Sequence, residues 1–130
     1  MQCVVVTPEA TVLDEPVDFV ALQLYDGEIG IGPKHSPMLG RLGFGEMRIR
    51  QGGQSRRYYV EGGFVEVIDN VVSVMTNRAD LADEIQADVA EELLATALGR
   101  PARGTEQMEI RDRNVAQARA QVRIARQGNF

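Results

Sequence analysis

The chain changes character near residue 78, and that break constrains its fold more than any motif does. Twelve of its 15 Val lie in residues 1–78, whereas eleven of its 13 Ala lie in residues 79–130. Ten of the 13 Gly fall between Gly27 and Gly63, and four of the five Pro come before residue 38. β-branched residues broken by frequent turn formers favour strands, while Ala with few breakers favours helix. The break therefore predicts a β domain over 1–78 and a helical segment over 79–130. A chain of 130 residues suits one domain with a small appendage. No internal repeat is present.

Alternation locates the strands. Glu46-Met47-Arg48-Ile49-Arg50 alternates polar and apolar, as a half-buried antiparallel strand does. Gln51-Gly52-Gly53-Gln54 turns and Arg57–Glu61 returns, making a hairpin. A second hairpin reads Phe64–Ile68, a turn at Asp69-Asn70, then Val71–Met75; Asp and Asn tolerate the positive φ of such turns. Strands at Cys3–Thr7, Thr11–Asp14 and Phe19–Leu24 complete a run of short, closely spaced strands, which means a sandwich or barrel.

Two helices follow. Asp80 is a candidate cap for the first, with Asp83 and Glu84 in its positive first turn. Leu81, Ile85, Val89, Leu93 and Ala97 step by four, joined by Leu94 and Leu98. Gly99 and Pro101 stop it. Thr105 is a candidate cap for the second helix, whose Val115, Ala118, Val122 and Ala125 share a face and which ends at Gly128. The short Arg100–Gly104 link predicts an antiparallel hairpin. Residues 79–98 carry six acids and no base, and residues 113–126 carry four Arg and no acid, so the helices attract. Each exposed pair contributes only about 0–1 kcal/mol. The stripes are small, and the hairpin is marginal enough to detach.

Composition excludes several functions. The net charge of -5 opposes nucleic-acid coating, which needs a clustered basic surface. No stretch approaches the roughly 20 apolar residues of a spanning helix, and Met1–Val6 does not read as a signal peptide. The single Cys3 cannot form an internal disulfide, and no Cys/His spacing offers a metal site. The only histidine, His35, lies in the Gly/Pro-rich stretch Gly27–Pro37, read as a loop between strands. As a general base it would need Ser36 and Glu28 aimed at one reaction centre; an interface or structural role is the other reading, and adjacency favours it. Gly27-x-x-Gly30-x-Gly32 lacks the helix a phosphate loop needs. The acids Asp80, Asp83, Glu84, Asp88, Glu91 and Glu92 do not have calcium-loop spacing. Arg119, Arg123 and Arg126 form a cationic stripe that suits either solvent or an acidic protein partner. No constellation supplies nucleophile, base and oxyanion donor together, so the residues describe a binding or coupling module with no catalytic, metal or cofactor site.

Gly27–Leu39 followed by Gly43-x-Gly45-x-Met47-Arg48-Ile49 closely resembles the epsilon subunit of F-type ATP synthases. So do Tyr59–Val67 with Asn70–Met75, the opening Val5-Val6-Thr7-Pro8-Glu9, and Arg113–Arg126 as the last helix. The resemblance implies an antiparallel β-sandwich of about ten short strands over 1–78 and a two-helix regulatory hairpin over 79–130. It implies a non-catalytic central-stalk subunit without cofactor that binds the gamma subunit and the c-subunit ring. The complex would sit at the cytoplasmic face of a bacterial membrane, which this chain meets only indirectly. By position, Glu28, Gly30, His35, Pro37, Met38 and Leu39 match the family's contact segment, where Lys34 stands in place of a usual glycine. In the family the helices extend toward the alpha/beta catalytic subunits and block hydrolysis, a role that Arg119, Arg123 and Arg126 match. Some members bind ATP at the start of the first helix; here Ile85-Gln86-Ala87-Asp88-Val89-Ala90 lacks both polar anchors, at Gln86 and Val89. The alternative from another class is a free-standing β-sandwich ligand-binding or adaptor module with a helical tail.

Overall fold

Strands form where alternation gives each an apolar side, and a sandwich forms when two such sides meet. The structure, a computed structural model, describes residues 1–127. Its strands are β1 (Gln2–Val6), β2 (Thr11–Pro16), β3 (Phe19–Leu24), β4 (Gly27–Ile31), β5 (Met38–Gln51), β6 (Gln54–Glu61), β7 (Phe64–Ile68), β8 (Val71–Met75) and β9 (Ala79–Leu81). One sheet runs β2-β1-β8-β7 and ends on the first part of β5, Met38–Arg41. The other runs β4-β3, then the second part of β5, then β6 and β9. With β5 counted in both, each sheet has five segments.

The inward side chains are those that alternation selects. Cys3, Val5, Val65, Val67, Val72 and Val74 of the first sheet join Val20, Leu22, Ile31, Met47, Ile49 and Val60 of the second in one core, each at most 1 % exposed. Each full burial of a Val, Leu, Ile or Met contributes about 1.5–3 kcal/mol. β5 passes between sheets by bulging: Leu24 faces Leu42 while Leu22 faces Met47. Gly43 and Gly45 occupy the bulge, and a Cβ on Gly45 would sit 2.9 Å from the Cβ of Gln23. At the two hairpin tips, Gly52-Gly53 and Asp69-Asn70 all have positive φ, the geometry that two-residue turns demand.

Three features depart from expectation. Residues 27–31 are not loop; they form edge strand β4, paired with β3. The sandwich is not wholly antiparallel, because β1 runs parallel to β8. Asp80 caps no helix: it lies in β9, opposite Tyr59 of β6. There Arg78 ion-pairs with Asp80 and stands 5.6 Å over the buried Tyr59 ring, and Tyr59 donates its hydroxyl to Glu61 Oε1 at 2.9 Å. Burial opposes the Arg78 charge, but the Asp80 hydrogen bond and the Asp80 and Glu61 carboxylates raise its pKa overall.

Met1–Leu81 is one compact unit and the residues from Ala82 form a second. In the second, a short 3-10 turn (Ala82–Glu84) precedes α1 (Ala87–Gly99) and α2 (Gly104–Gln127). The cap position of α1 is Gln86, which makes no side-chain capping bond. Pro101 holds Arg100 extended and ends α1. α2 starts one residue before Thr105, with Gln107 Oε1 accepting the Arg103 N–H at 2.9 Å. The expected end at Gly128 lies outside the described residues. The four-residue link folds α2 back along α1, and the buried positions are Ala90 and Ala97 on α1 and Val115, Ala118 and Ala125 on α2. Val89 and Leu93, expected on the inner stripe, are about half exposed. Ala120, Gln121 and Ile124 are buried as well, so α2 buries more than one stripe.

Candidate functional site

The residues singled out between 27 and 39 come from three elements. Glu28 and Gly30 lie on β4, His35 and Pro37 on the connection, and Met38 and Leu39 at the start of β5. At Gly30 the Phe19 ring lies close over the backbone, 2.7 Å from where a Cβ would stand, so a side chain there would displace the ring. Glu28 faces outward and pairs with Arg48 at 3.4 Å, and Arg48 also reaches Glu46 at 3.3 Å. Glu28 is thus committed to Arg48 rather than to His35.

The connection is built by a tight turn. His35 N–H bonds Gly32 C=O at 3.3 Å, Pro33 holds the first central position, and Lys34 the second, with φ 63°. That is a type II turn, whose second central position favours glycine. Asn70 Oδ1, from the β7–β8 turn, accepts the Lys34 N–H at 2.8 Å. His35 Nδ1 lies 2.7 Å from the Ser36 carbonyl, so the proton-bearing Nδ1 is turned onto backbone. The nucleophile–base pairing of Ser36 and His35 is not what this geometry builds.

After the turn, alternation splits the next pair. Met38 packs against the core, while Leu39 points out from the first sheet and is 70 % exposed. Leu39 faces Glu66, and the neighbouring row on the same outer side reads Val6, Met75, Phe64 and Arg41 in register. Val6, Phe64, Met75 and Ile68 are all exposed. Val6, Met75 and Phe64 of this row, with Thr7, Pro8, Gly63, Thr76 and Asn77, line a groove of about 350 Å³. Sequence reasoning did not single out this face. Its signal was the apolar residues at outward positions of β1, β7 and β8, where a solvated face would carry polar ones.

In the helical unit, Arg119, Arg123 and Arg126 are exposed. Arg126 Nε donates to Glu91 Oε1 of α1 at 3.0 Å, which ties the two helices together. Of the degenerate nucleotide motif, Ile85 and Ala90 are buried and Gln86 and Val89 exposed. Among the described residues no group of His, Cys, Asp and Glu could hold a metal ion, and no helix is long and apolar enough to cross a membrane. Burial lifts the Cys3 thiol to about 11, with Arg56 opposing the rise, and keeps it neutral in the core.

A sandwich with an outward apolar face, followed by a helix pair with a cationic stripe, defines a docking subunit of a larger assembly. Residues 1–82 match the family model described as ATP synthase, Delta/Epsilon chain, beta-sandwich domain. The ATP synthase epsilon chain of Rhodopirellula baltica is 47% identical over 97% of this chain and 98% of the relative. That of Nitratidesulfovibrio vulgaris is 35% identical over 96% of this chain and 93% of the relative. In fold, the chain superposes on a chain of the Euglena gracilis mitochondrial ATP synthase with TM-score 0.83 at 21% identity, covering 91% of this chain and 76% of that one. A chain of the Tetrahymena thermophila mitochondrial ATP synthase central stalk and c-ring gives 0.78 at 17% identity, covering 96% of each. The chain belongs to the ATP synthase epsilon chain family. It is accordingly a rotor-stalk subunit of an F-type ATP synthase and part of a membrane-associated complex, not itself a catalyst.

Proposed function

We propose that the sandwich grips the gamma subunit and rests on the c-subunit ring, so that ring rotation driven by ion flow reaches the catalytic subunits. The observation that carries this reading is the exposed apolar row of Phe64, Met75 and Val6 on the outer face of the first sheet, with exposed Leu39 in the adjoining row, just after the turn bearing His35. Burying one such side chain in a partner contributes about 1.5–3 kcal/mol, set against the cost of association. Pro37 and Met38 set the course of the chain from the turn into β5, and Glu28 and Gly30 form the outer edge next to it. The bacterial relatives support a place at the cytoplasmic face of a bacterial membrane.

The hairpin serves as a brake. In the folded state Arg126 is occupied by Glu91, whereas extension frees it to join Arg119 and Arg123 against an acidic surface of the alpha/beta catalytic subunits. Reconstituted complex containing residues 1–81 alone should hydrolyse ATP faster than complex with the full chain, with assembly intact. Equal rates would refute the brake. The cut belongs after Leu81, because a cut at 78 strips β9 from β6.

A further inference from the structure

We propose that Asn70 is a positioning residue: its side chain clamps the type II turn at Gly32–His35 and so fixes the direction in which His35, Pro37 and Leu39 are presented. The proposal rests on the reading of that segment as a rotor contact. Asn70 and Lys34 are far apart in sequence and both exposed, yet Asn70 Oδ1 accepts the Lys34 backbone N–H at 2.8 Å. Asn70 sits at the second central position of the β7–β8 turn, with φ 64°, directly after Asp69 at 51°. Glycine is the residue best suited to that position in a two-residue hairpin, so the turn alone does not call for Asn. Its backbone carbonyl meanwhile accepts the Gln2 N–H at 3.1 Å. Asn70 therefore joins three segments: β1 through its carbonyl, the hairpin through its backbone, and the His35 turn through its carboxamide.

The clamp also accounts for Lys34. A lysine at φ 63° is held where side chains are disfavoured, and the turn has one weak internal bond, 3.3 Å from His35 N to Gly32 O. The Asn70 bond, at 2.8 Å, is the stronger constraint on that backbone. Turn and hairpin tip then move as one body, and the following residues enter β5 in register, with Met38 against the core and Leu39 outward.

The test uses the full chain with Asn70→Gly and Asn70→Asp. Glycine keeps the positive φ and the carbonyl bond to Gln2 but removes the clamp; aspartate keeps an acceptor oxygen. Expected for Asn70→Gly are an unchanged urea midpoint, Lys34 amide exchange accelerated about tenfold or more, and new conformers in the His35 ring nitrogen resonances. Asn70→Asp should restore Lys34 protection. In the native chain, a scalar coupling across the hydrogen bond from the Lys34 amide nitrogen to Asn70 Cγ provides a check that needs no variant. Unchanged Lys34 exchange in Asn70→Gly, or absence of that coupling, would overturn the proposal. A loosened turn in Asn70→Gly with undiminished binding to the gamma subunit and ring would uphold the clamp and count against the rotor-contact reading instead.

Discussion

Substituting Gly63 by alanine should destabilise the sandwich far more than the same change at Gly62, its neighbour. Both glycines have positive φ, 62° at Gly62 and 97° at Gly63, so each substitution carries backbone strain of about 1–3 kcal/mol. Their surroundings differ. A Cβ at Gly62 has only Asn77 Nδ2 within reach, at 3.8 Å, whereas one at Gly63 would stand 1.9 Å from Met75 O and 2.9 Å from Thr76 Cα. Those are backbone atoms at the end of β8, which cannot rotate away as a side chain does. The Gly63 carbonyl also accepts the Leu42 N–H at 2.9 Å, a bond that any shift of Gly63 would strain. Overpacking of this kind costs about 1–3 kcal/mol beyond the φ strain, giving roughly 2–6 kcal/mol for Gly63→Ala against about 1–3 for Gly62→Ala. Native domains have only about 5–15 kcal/mol in hand, so Gly63→Ala removes much of the total. Urea unfolding of the full chain, followed by its far-UV β-sheet signal, measures both. Free energies within about 0.5 kcal/mol of each other would refute the close-approach argument, because that is the scatter of ordinary surface changes.

The Cys3 thiol should resist alkylation in the native chain at pH 8 and react promptly in urea, as counted by mass spectrometry. Its pKa is about 11 folded and 9.0 unfolded, so its stabilising contribution is complete below pH 9 and is lost as pH rises through 11. Replacement by alanine should remove that part of the alkaline loss. ATP should bind the isolated chain weakly or not at all, since Gln86 and Val89 provide neither acid nor arginine; micromolar affinity by calorimetry would contradict this.

Most of the sandwich was legible because its strands alternate: Met47 and Ile49 are buried and Glu46, Arg48 and Arg50 turn outward. What alternation could not give was partnership and direction, and so β1 alongside β8 came out parallel. β4 was obscured by Gly27 and Gly30, which look like loop residues; in the strand, the Phe19 ring lies over Gly30. β9 carries no pattern of its own in three residues and exists through pairing with Tyr58–Val60. With Ala79–Leu81 in β9 and Ala82–Glu84 in a 3-10 turn, α1 starts at Ala87 and not at Asp80, and its Val89 and Leu93 are half exposed. In residues 27–39, the sequence pattern did not reveal how the turn between β4 and β5 is built. Lys34 looked only like a departure from a usual glycine. Its left-handed backbone shows why glycine suits the site, and Asn70, from a distant turn, is the partner no local pattern could reveal.

The central claim is that the outer face carrying Leu39 is where the rotor is gripped. Leu39→Lys tests it with little effect on folding, because the side chain is 70 % exposed and a lysine opposite Glu66 is a favourable cross-strand pair. The measurement is the affinity of the full chain for its cognate gamma subunit on the c-ring, native against variant. Loss of one buried leucine contact and burial of a charge predict at least about a tenfold weakening with an unchanged urea midpoint. Equal affinity of the two proteins, or no binding by the native chain, would contradict the account.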